Sequence, residues 1–233
     1  MVSKPRRRRL LLGFALLAVV SGVVVFAYRG WQTFDALSVH KAAERGDISA
    51  LKAALQRHPD QLDAAASFRL DKRLTIFPPL MWAVRGGNPE AVELLIARGS
   101  NVNAPDKFGK TALWLAVDEN KPTIVEVLLR AKADPNAPTT FGSSPLICTL
   151  RRGDIEMAKV LLDAGADPNA PVLKSTPLFE AVDAGQVESV RLLLDRGARI
   201  GDAKEKAMML DVAKRLQQEQ ASAIEALLLK SRP

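Results

Sequence analysis

Apolar and polar positions follow a long-range repeat along most of the chain. Four hexapeptides mark it: "PPLMWA" (78–83), "TALWLA" (111–116), "SPLICT" (144–149) and "TPLFEA" (176–181). They lie 33, 33 and 32 residues apart, and a second stretch with apolar residues at helical spacing follows each one. A polar turn closes each pair, and the phrase "ADPNAP" occurs at two of these turns. The pattern predicts a series of helix–turn–helix units.

The period near 33 residues and the core motif T-P-L-H-x-A resemble the ankyrin repeat. The resemblance extends over roughly residues 35–230. It implies an all-α solenoid in which helix–turn–helix units stack side by side and β-hairpin fingers connect them. We expect about six units, four clear repeats and two caps. The N-terminal cap places His40 at the histidine of the motif, and an insertion separates it from the second unit. The C-terminal cap keeps Leu210 and Ala213 in register.

Residue types at the helix boundaries agree with this interpretation. Hydroxyl side chains stand where the first helices should be capped: Thr111, Ser144 and Thr176. Glycines stand where second helices should end in a left-handed residue: Gly99, Gly165 and Gly197. The third unit has Lys132 at that position, where a positive φ would cost about 1 kcal/mol. The finger glycine, Gly109 or Gly142, is replaced by Ile76 and Lys174 in two units, so we expect those fingers to differ in shape.

The N-terminal segment has a different pattern. Residues 10–28 carry no charge, follow a basic segment (1–9), and are long enough for a helix that crosses a bilayer. Basic residues favour a cytoplasmic N-terminus, so the sequence predicts a signal-anchor helix, a short linker (29–34) and an extracytoplasmic repeat domain. In a Gram-negative bacterium this domain would be periplasmic. Two other interpretations are a cleaved signal peptide, with small residues at 25–27, and a buried soluble helix.

The charge of the chain is concentrated at its beginning. The net charge is +7, but residues 1–29 contain six basic and no acidic residues, which leaves the remainder near +1. We therefore do not expect a nucleic-acid partner. The single cysteine, Cys148, excludes an intramolecular disulfide.

No arrangement of residues predicts catalysis. The sequence lacks CxxC, HExxH and GxGxxG motifs, and its only histidines are His40 and His58. We expect His40 to bond a neighbouring repeat, His58 to lie in a solvated loop and Cys148 to be an inert thiol. The protein is thus not expected to be an enzyme, and no cofactor, metal or small-molecule substrate is predicted.

The resemblance implies that a protein partner binds the concave face, at the finger tips and the exposed ends of the first helices. The third residues of the fingers are Thr75 and three large apolar residues, Phe108, Phe141 and Leu173, and Phe77 lies two residues beyond Thr75. These side chains either form an exposed binding row or fold back and pack between fingers.

The exposed ends of the first helices alternate in charge. Basic and acidic positions follow one another from unit to unit: Arg85; Asp118 and Glu119; Arg151 and Arg152; Asp183. Either these residues pair between repeats on a solvated surface, or they form an electrostatic pattern that selects a partner.

Two classes of function follow from the sequence. The first is a protein–protein interaction module tethered to the membrane, or its exported soluble counterpart, an inhibitor or protective protein. The second is a structural component of an envelope complex, in which the membrane helix matters as much as the repeats.

Overall fold

The computed structural model describes residues 39–70, 73–171 and 175–230. Within these ranges, no helix is both long and apolar enough to cross a bilayer. The predicted anchor (10–28), its flanking segments (1–9 and 29–34) and residues 35–38 lie outside them.

Six helix pairs follow one another along the chain, as the repeat predicts. The first pair comprises α1 (39–45) and α2 (Ile48–Arg57). The next four are α3 (Pro79–Gly86) with α4 (Pro89–Ala97), α5 (Ala112–Asp118) with α6 (Pro122–Arg130), α7 (Pro145–Arg152) with α8 (Ile155–Asp163), and α9 (Pro177–Asp183) with α10 (Val187–Asp195). The last is α11 (Ala203–Ala213) with α12 (Gln218–Lys230). We number these pairs as units 1 to 6.

The helices form two layers. In the layer of first helices, α3, α5, α7, α9 and α11 contact one another in chain order. In the layer of second helices, α2 contacts α4, α4 contacts α6, α8 contacts α10, and α10 contacts α12. Units that follow one another along the chain therefore pack side by side, which is the arrangement of a solenoid. Buried leucines at one register position of the first helices line the boundary between the layers: Leu80, Leu113, Leu146 and Leu178.

The sequence places the helix boundaries for physical reasons. The hydroxyls of Thr111, Ser144 and Thr176 accept hydrogen bonds from the backbone N–H three residues later, which confirms the predicted N-caps. At the other end of each unit, Gly99, Gly165 and Gly197 have φ values of 92°, 94° and 85°. Nothing lies within 4 Å of the Cβ that a side chain would place there.

Lys132 adopts the conformation of these glycines. Its φ is 65°, and Ala133 N–H donates to the Leu128 carbonyl at 3.0 Å, as Ala166 N–H does to Leu161 at 2.9 Å in the next unit. The third unit thus ends its second helix as its neighbours do. The position is open, so the lysine side chain meets no obstacle and only its backbone is strained.

The insertion before unit 2 forms a short 3-10 helix (Pro59–Gln61) and an antiparallel hairpin of β1 (Ala66–Leu70) and β2 (Arg73–Phe77). Ala66 pairs with Phe77 at the open end. His40 is fully buried and its Nε2 lies 2.7 Å from the carbonyl oxygen of Ala64. Its role is structural, but this contact is with the insertion, whereas the sequence predicted a bond to a neighbouring repeat. The insertion therefore rests on unit 1.

The fingers of units 3 and 4 differ from the β-hairpins that the resemblance implies. Each is a tight turn, closed by Asp106 N–H to Lys110 in one and by Thr139 N–H to Ser143 in the other. The prolines before these turns, Pro105 and Pro138, have no N–H to donate to a ladder. Strands form in unit 2 because the insertion supplies a partner for β2.

Candidate functional site

The candidate site is the surface formed by the fingers of units 2 to 4 and the helices α3, α5 and α7, which we call the finger–helix surface. It is the part of the molecule in which the sequence places the predicted binding residues. Of these, Leu173 lies outside the described residues.

Two phenylalanines form an exposed pair at the tips of the fingers of units 3 and 4. Phe108 is 42% exposed and Phe141 is 66% exposed. Their ring centroids are 6.4 Å apart with a 31° angle between the planes, which is a favourable separation for aromatic rings. Among the large apolar side chains that are exposed in the described part of the chain, these two are aromatic and the others are aliphatic.

Backbone and hydroxyl contacts fix this pair in place. The Phe108 carbonyl accepts hydrogen bonds from Thr140 N–H at 2.8 Å and from the Thr140 hydroxyl at 3.1 Å. Within the finger of unit 3, the Asp106 carboxylate accepts hydrogen bonds from Phe108 N–H and Lys110 N–H, both at 2.8 Å. Because the turns that carry both residues are bonded to each other, less backbone freedom remains to be lost when a partner binds the rings.

Phe77 departs from the expectation of an exposed row. Its side chain is 8% exposed, and its ring centroid lies 5.6 Å from that of the buried Trp82. The hairpin directs Phe77 onto α3, so the ring belongs to the core and is not part of the exposed pair. The sequence allowed the finger side chains to be either exposed or packed. The structure shows both: Phe77 packs on α3, and Phe108 and Phe141 are exposed.

Two cations lie over the tryptophans of the first helices. The Nζ of Lys110 is 3.8 Å from the Trp114 ring centroid, and the Cζ of Arg85 is 5.9 Å from that of Trp82. The Nζ of Lys107 lies 4.9 Å from the Phe108 ring centroid. Cation–π contacts of this kind hold positive charge against an aromatic ring. The sequence analysis did not single out Lys107 and Lys110, although the "DKFGK" turn (106–110) places them beside the aromatic residue in the sequence.

The charged helix ends mostly contact neighbouring units. Arg151 Nε donates to Glu180 Oε2 of α9 at 2.9 Å. Arg152 donates to the carbonyls of Asp118 and Val117 at the end of α5, at 2.6 and 2.5 Å. The structure therefore agrees with the inter-repeat interpretation at these two positions. Arg152 neutralises the negative end of the preceding first helix.

The acidic pair of unit 3 is engaged in the same way. Glu119 forms an ion pair with Lys121, whose Nζ also donates to the carbonyls of Val84 and Arg85 at 2.7 and 2.6 Å. Asp118 Oδ1 accepts from the Cys148 thiol at 3.5 Å. Burial raises the pKa of Cys148 to about 11, and the Asp118 carboxylate acts in the same direction, against Arg152. The thiol is therefore protonated at neutral pH and a poor nucleophile.

Asparagines of the polar turns connect consecutive units. The Asn136 side chain donates to the Gly165 carbonyl at 3.0 Å and accepts from Asp167 N–H at 2.7 Å. Asn169 makes the same two contacts with Gly197 and Arg199 in the next turn. The repeated "DPN" is therefore a connector of the scaffold.

Comparison with known families identifies the scaffold. A family model described as ankyrin repeats (three copies) matches residues 39–139 and 124–204. Since these stretches span more than half of the chain, the protein belongs to the ankyrin repeat family. Ankyrin repeats are generally non-enzymatic scaffolds for protein–protein interaction.

Proposed function

We propose that this protein is a membrane-tethered binding module that holds a protein partner on its finger–helix surface, on the extracytoplasmic side. The observation that carries the proposal is the exposed Phe108–Phe141 pair. Exposed aromatic rings held at a fixed separation are costly in water and are frequent hot spots of interfaces. Their backbones are fixed by bonds between the fingers, so a partner would meet a preformed surface.

The partner-binding proposal is tested by affinity capture with the full-length chain in mild detergent, after crosslinking in cells of its source. The double variant Phe108→Ala, Phe141→Ala should lose a stoichiometric partner that the unaltered chain retains. A matched control is Leu229→Ala, which removes an exposed apolar side chain from the C-terminal helix α12. The thermal midpoint of the double variant should stay nearly unchanged because both rings are exposed. Equal capture by the double variant and the unaltered chain would refute a role for the pair.

The tethering part of the proposal rests on the sequence of residues 1–28. It predicts that the protein sediments with membranes, and that protease added outside the inner membrane digests the repeats. Carbonate extraction should leave the chain in the membrane fraction. A mature protein that is soluble and begins near Tyr28 would instead support the exported, signal-cleaved alternative. Retention in a large envelope assembly that does not depend on the phenylalanines would support the structural role.

A further inference from the structure

We propose that the partner segment recognised by the finger–helix surface is acidic and carries a large apolar or aromatic anchor. This inference rests on the proposed function and specifies the chemistry of its partner. The anchor would pack against the exposed Phe108–Phe141 pair, and carboxylates would lie over the cations beside it.

Charge is segregated within the repeat domain. The finger segments 66–77, 104–111, 137–144 and 170–176 contain two acidic residues, Asp71 and Asp106, in their sequence. They contain six basic ones: Arg69, Lys72, Arg73, Lys107, Lys110 and Lys174. The fingers are thus net +4 by sequence, whereas the whole chain after residue 29 is near +1. The remainder of the domain is therefore net acidic by sequence. In the two fingers that carry the exposed aromatic pair, the charged residues are Asp106, Lys107 and Lys110, a net charge of +1.

Two cations of the finger–helix surface have no carboxylate partner among the described side chains. In the part of the chain that the structure describes, Lys110 and Arg85 form no ion pair, and each lies over a tryptophan ring. The acid nearest to Lys110 in the finger, Asp106, is occupied by two backbone N–H groups. By contrast, Arg151 is paired with Glu180 and Lys121 with Glu119. Of these two cations, Lys110 lies in the finger of unit 3, and Arg85 lies in the last turn of α3.

The pattern of the first helices explains why Arg85 lacks a carboxylate. The helix position of Arg85 in unit 2 corresponds to that of Arg151 in unit 4, which reaches Glu180 of the following unit. The residue of unit 3 equivalent to Glu180 is Leu115, which is 5% exposed. The neighbouring unit thus offers Arg85 no carboxylate at this position, and a carboxylate of a partner could take its place.

A peptide fits this surface better than a lipid bilayer does. Lys110 is half-buried over Trp114, on the first-helix side of the fingers. A flat membrane would reach the ring of Phe141 at the tip, whereas a narrow chain can contact both the tip and the cations behind it. Complementary charge would also raise the association rate and make binding weaken as salt is added.

The inference is tested with a displayed library of random linear peptides, selected on the full-length chain in mild detergent. Enriched peptides should combine Asp or Glu with Phe, Trp, Tyr or Leu. Their dissociation constants should rise with salt, and should rise about tenfold or more in Lys110→Glu. The matched control is Lys52→Glu, which makes the same change in net charge on the exposed face of α2, away from the fingers. Thermal unfolding should show that both variants are folded.

Three results would overturn the inference. They are enrichment of peptides without acidic residues, equal binding by Lys110→Glu and Lys52→Glu, and a lack of enriched peptides together with salt-sensitive binding to phosphatidylglycerol vesicles. The proposed function has a separate failure, namely partner capture that survives Phe108→Ala, Phe141→Ala. Capture that depends on the phenylalanines but is insensitive to Lys110→Glu would leave the proposed function standing and refute only the acidic partner.

Discussion

The backbone conformation of a repeat position is set by the hydrogen bonds of the scaffold and not by the residue that occupies it. Lys132 takes the left-handed conformation that its neighbours fill with glycine, because the hydrogen bond from Ala133 to Leu128 requires it. A motif position therefore keeps its backbone geometry even when the residue that suits it best is absent.

The substitution Lys132→Gly should raise the free energy of unfolding by roughly 0.5–1 kcal/mol, since it relieves the left-handed strain but adds freedom to the unfolded chain. Urea unfolding monitored by tryptophan fluorescence measures the change. The reverse substitution in the next unit, Gly165→Lys, should lower the free energy of unfolding by a similar amount, because it places a side chain on a residue with positive φ. Its Cβ would meet no atom within 4 Å, so no steric clash adds to this strain. If both substitutions left stability unchanged, the strain assigned to Lys132 would be wrong.

Cys148 illustrates a side chain whose environment governs its chemistry. With its pKa raised from 9.0 to about 11 by burial, the thiolate population in the folded chain should be about one hundredth of that of an unperturbed thiol at neutral pH. Alkylation by iodoacetamide should therefore be about a hundredfold slower in the native protein than after unfolding in urea. The rate is followed by mass spectrometry of intact chain. Comparable native and unfolded rates would show that the thiol is neither shielded nor raised in pKa.

Between elements, cations at the ends of the first helices connect one unit with the next. Arg152 donates to two carbonyls at the end of α5, and Lys121 does the same at the end of α3. Sequence analysis named Arg151 and Arg152 as candidate binding residues and left pairing between repeats as the other interpretation. The two arginines are adjacent, yet one contacts a carboxylate of the following unit and the other the backbone of the preceding unit.

Arg152→Ala should lower the free energy of unfolding by about 1 kcal/mol, a value at the low end for charge-assisted bonds because the side chain is partly exposed. Partner capture should be retained, since the residue acts between α5 and α7. The comparison is with Arg98→Ala, an exposed arginine at the end of α4, which should change stability less. A variant with full stability but lost capture would return Arg152 to the binding surface.

The sequence predicted more of the helices than of the site. Caps such as Thr111 and the glycines at helix ends recur every 32 to 33 residues, so each copy supports the others. The orientation of the finger phenylalanine rings is not marked by any recurring residue of this kind. Phe77 and Phe108 both belong to fingers, but the first lies on Trp82 and the second is exposed. Phe77 ends the second strand of the hairpin of unit 2, directly before α3, whereas Phe108 lies in a tight turn. Side-chain direction depends on these neighbours, which no local pattern reveals.

In the whole molecule, stability comes from contacts between consecutive units, so the apolar faces of the two end repeats must be covered by capping units. In the last step of the solenoid, α11 contacts α9 and α12 contacts α10, so unit 6 covers the outer face of unit 5. Met209, Ala213, Ile224 and Leu228 of the last unit are buried there. The polar residues of α11 and α12 lie on the outer side, where the solenoid ends.

Removal of residues 203–233 should therefore expose the apolar face of α9 and α10, including Val182 and Leu193, which are fully buried in the intact domain. Losing three buried large side chains of the cap at about 1.5–3 kcal/mol each predicts a destabilisation on the order of 5 kcal/mol. The thermal midpoint should fall, and binding of a hydrophobic dye and light scattering should both rise, because an uncovered repeat face associates with other copies. A chain shortened only by residues 231–233 serves as the control and should behave as the full-length protein does. Equal midpoints for the two truncations would show that the sixth unit is not a cap, and that the solenoid ends at α10.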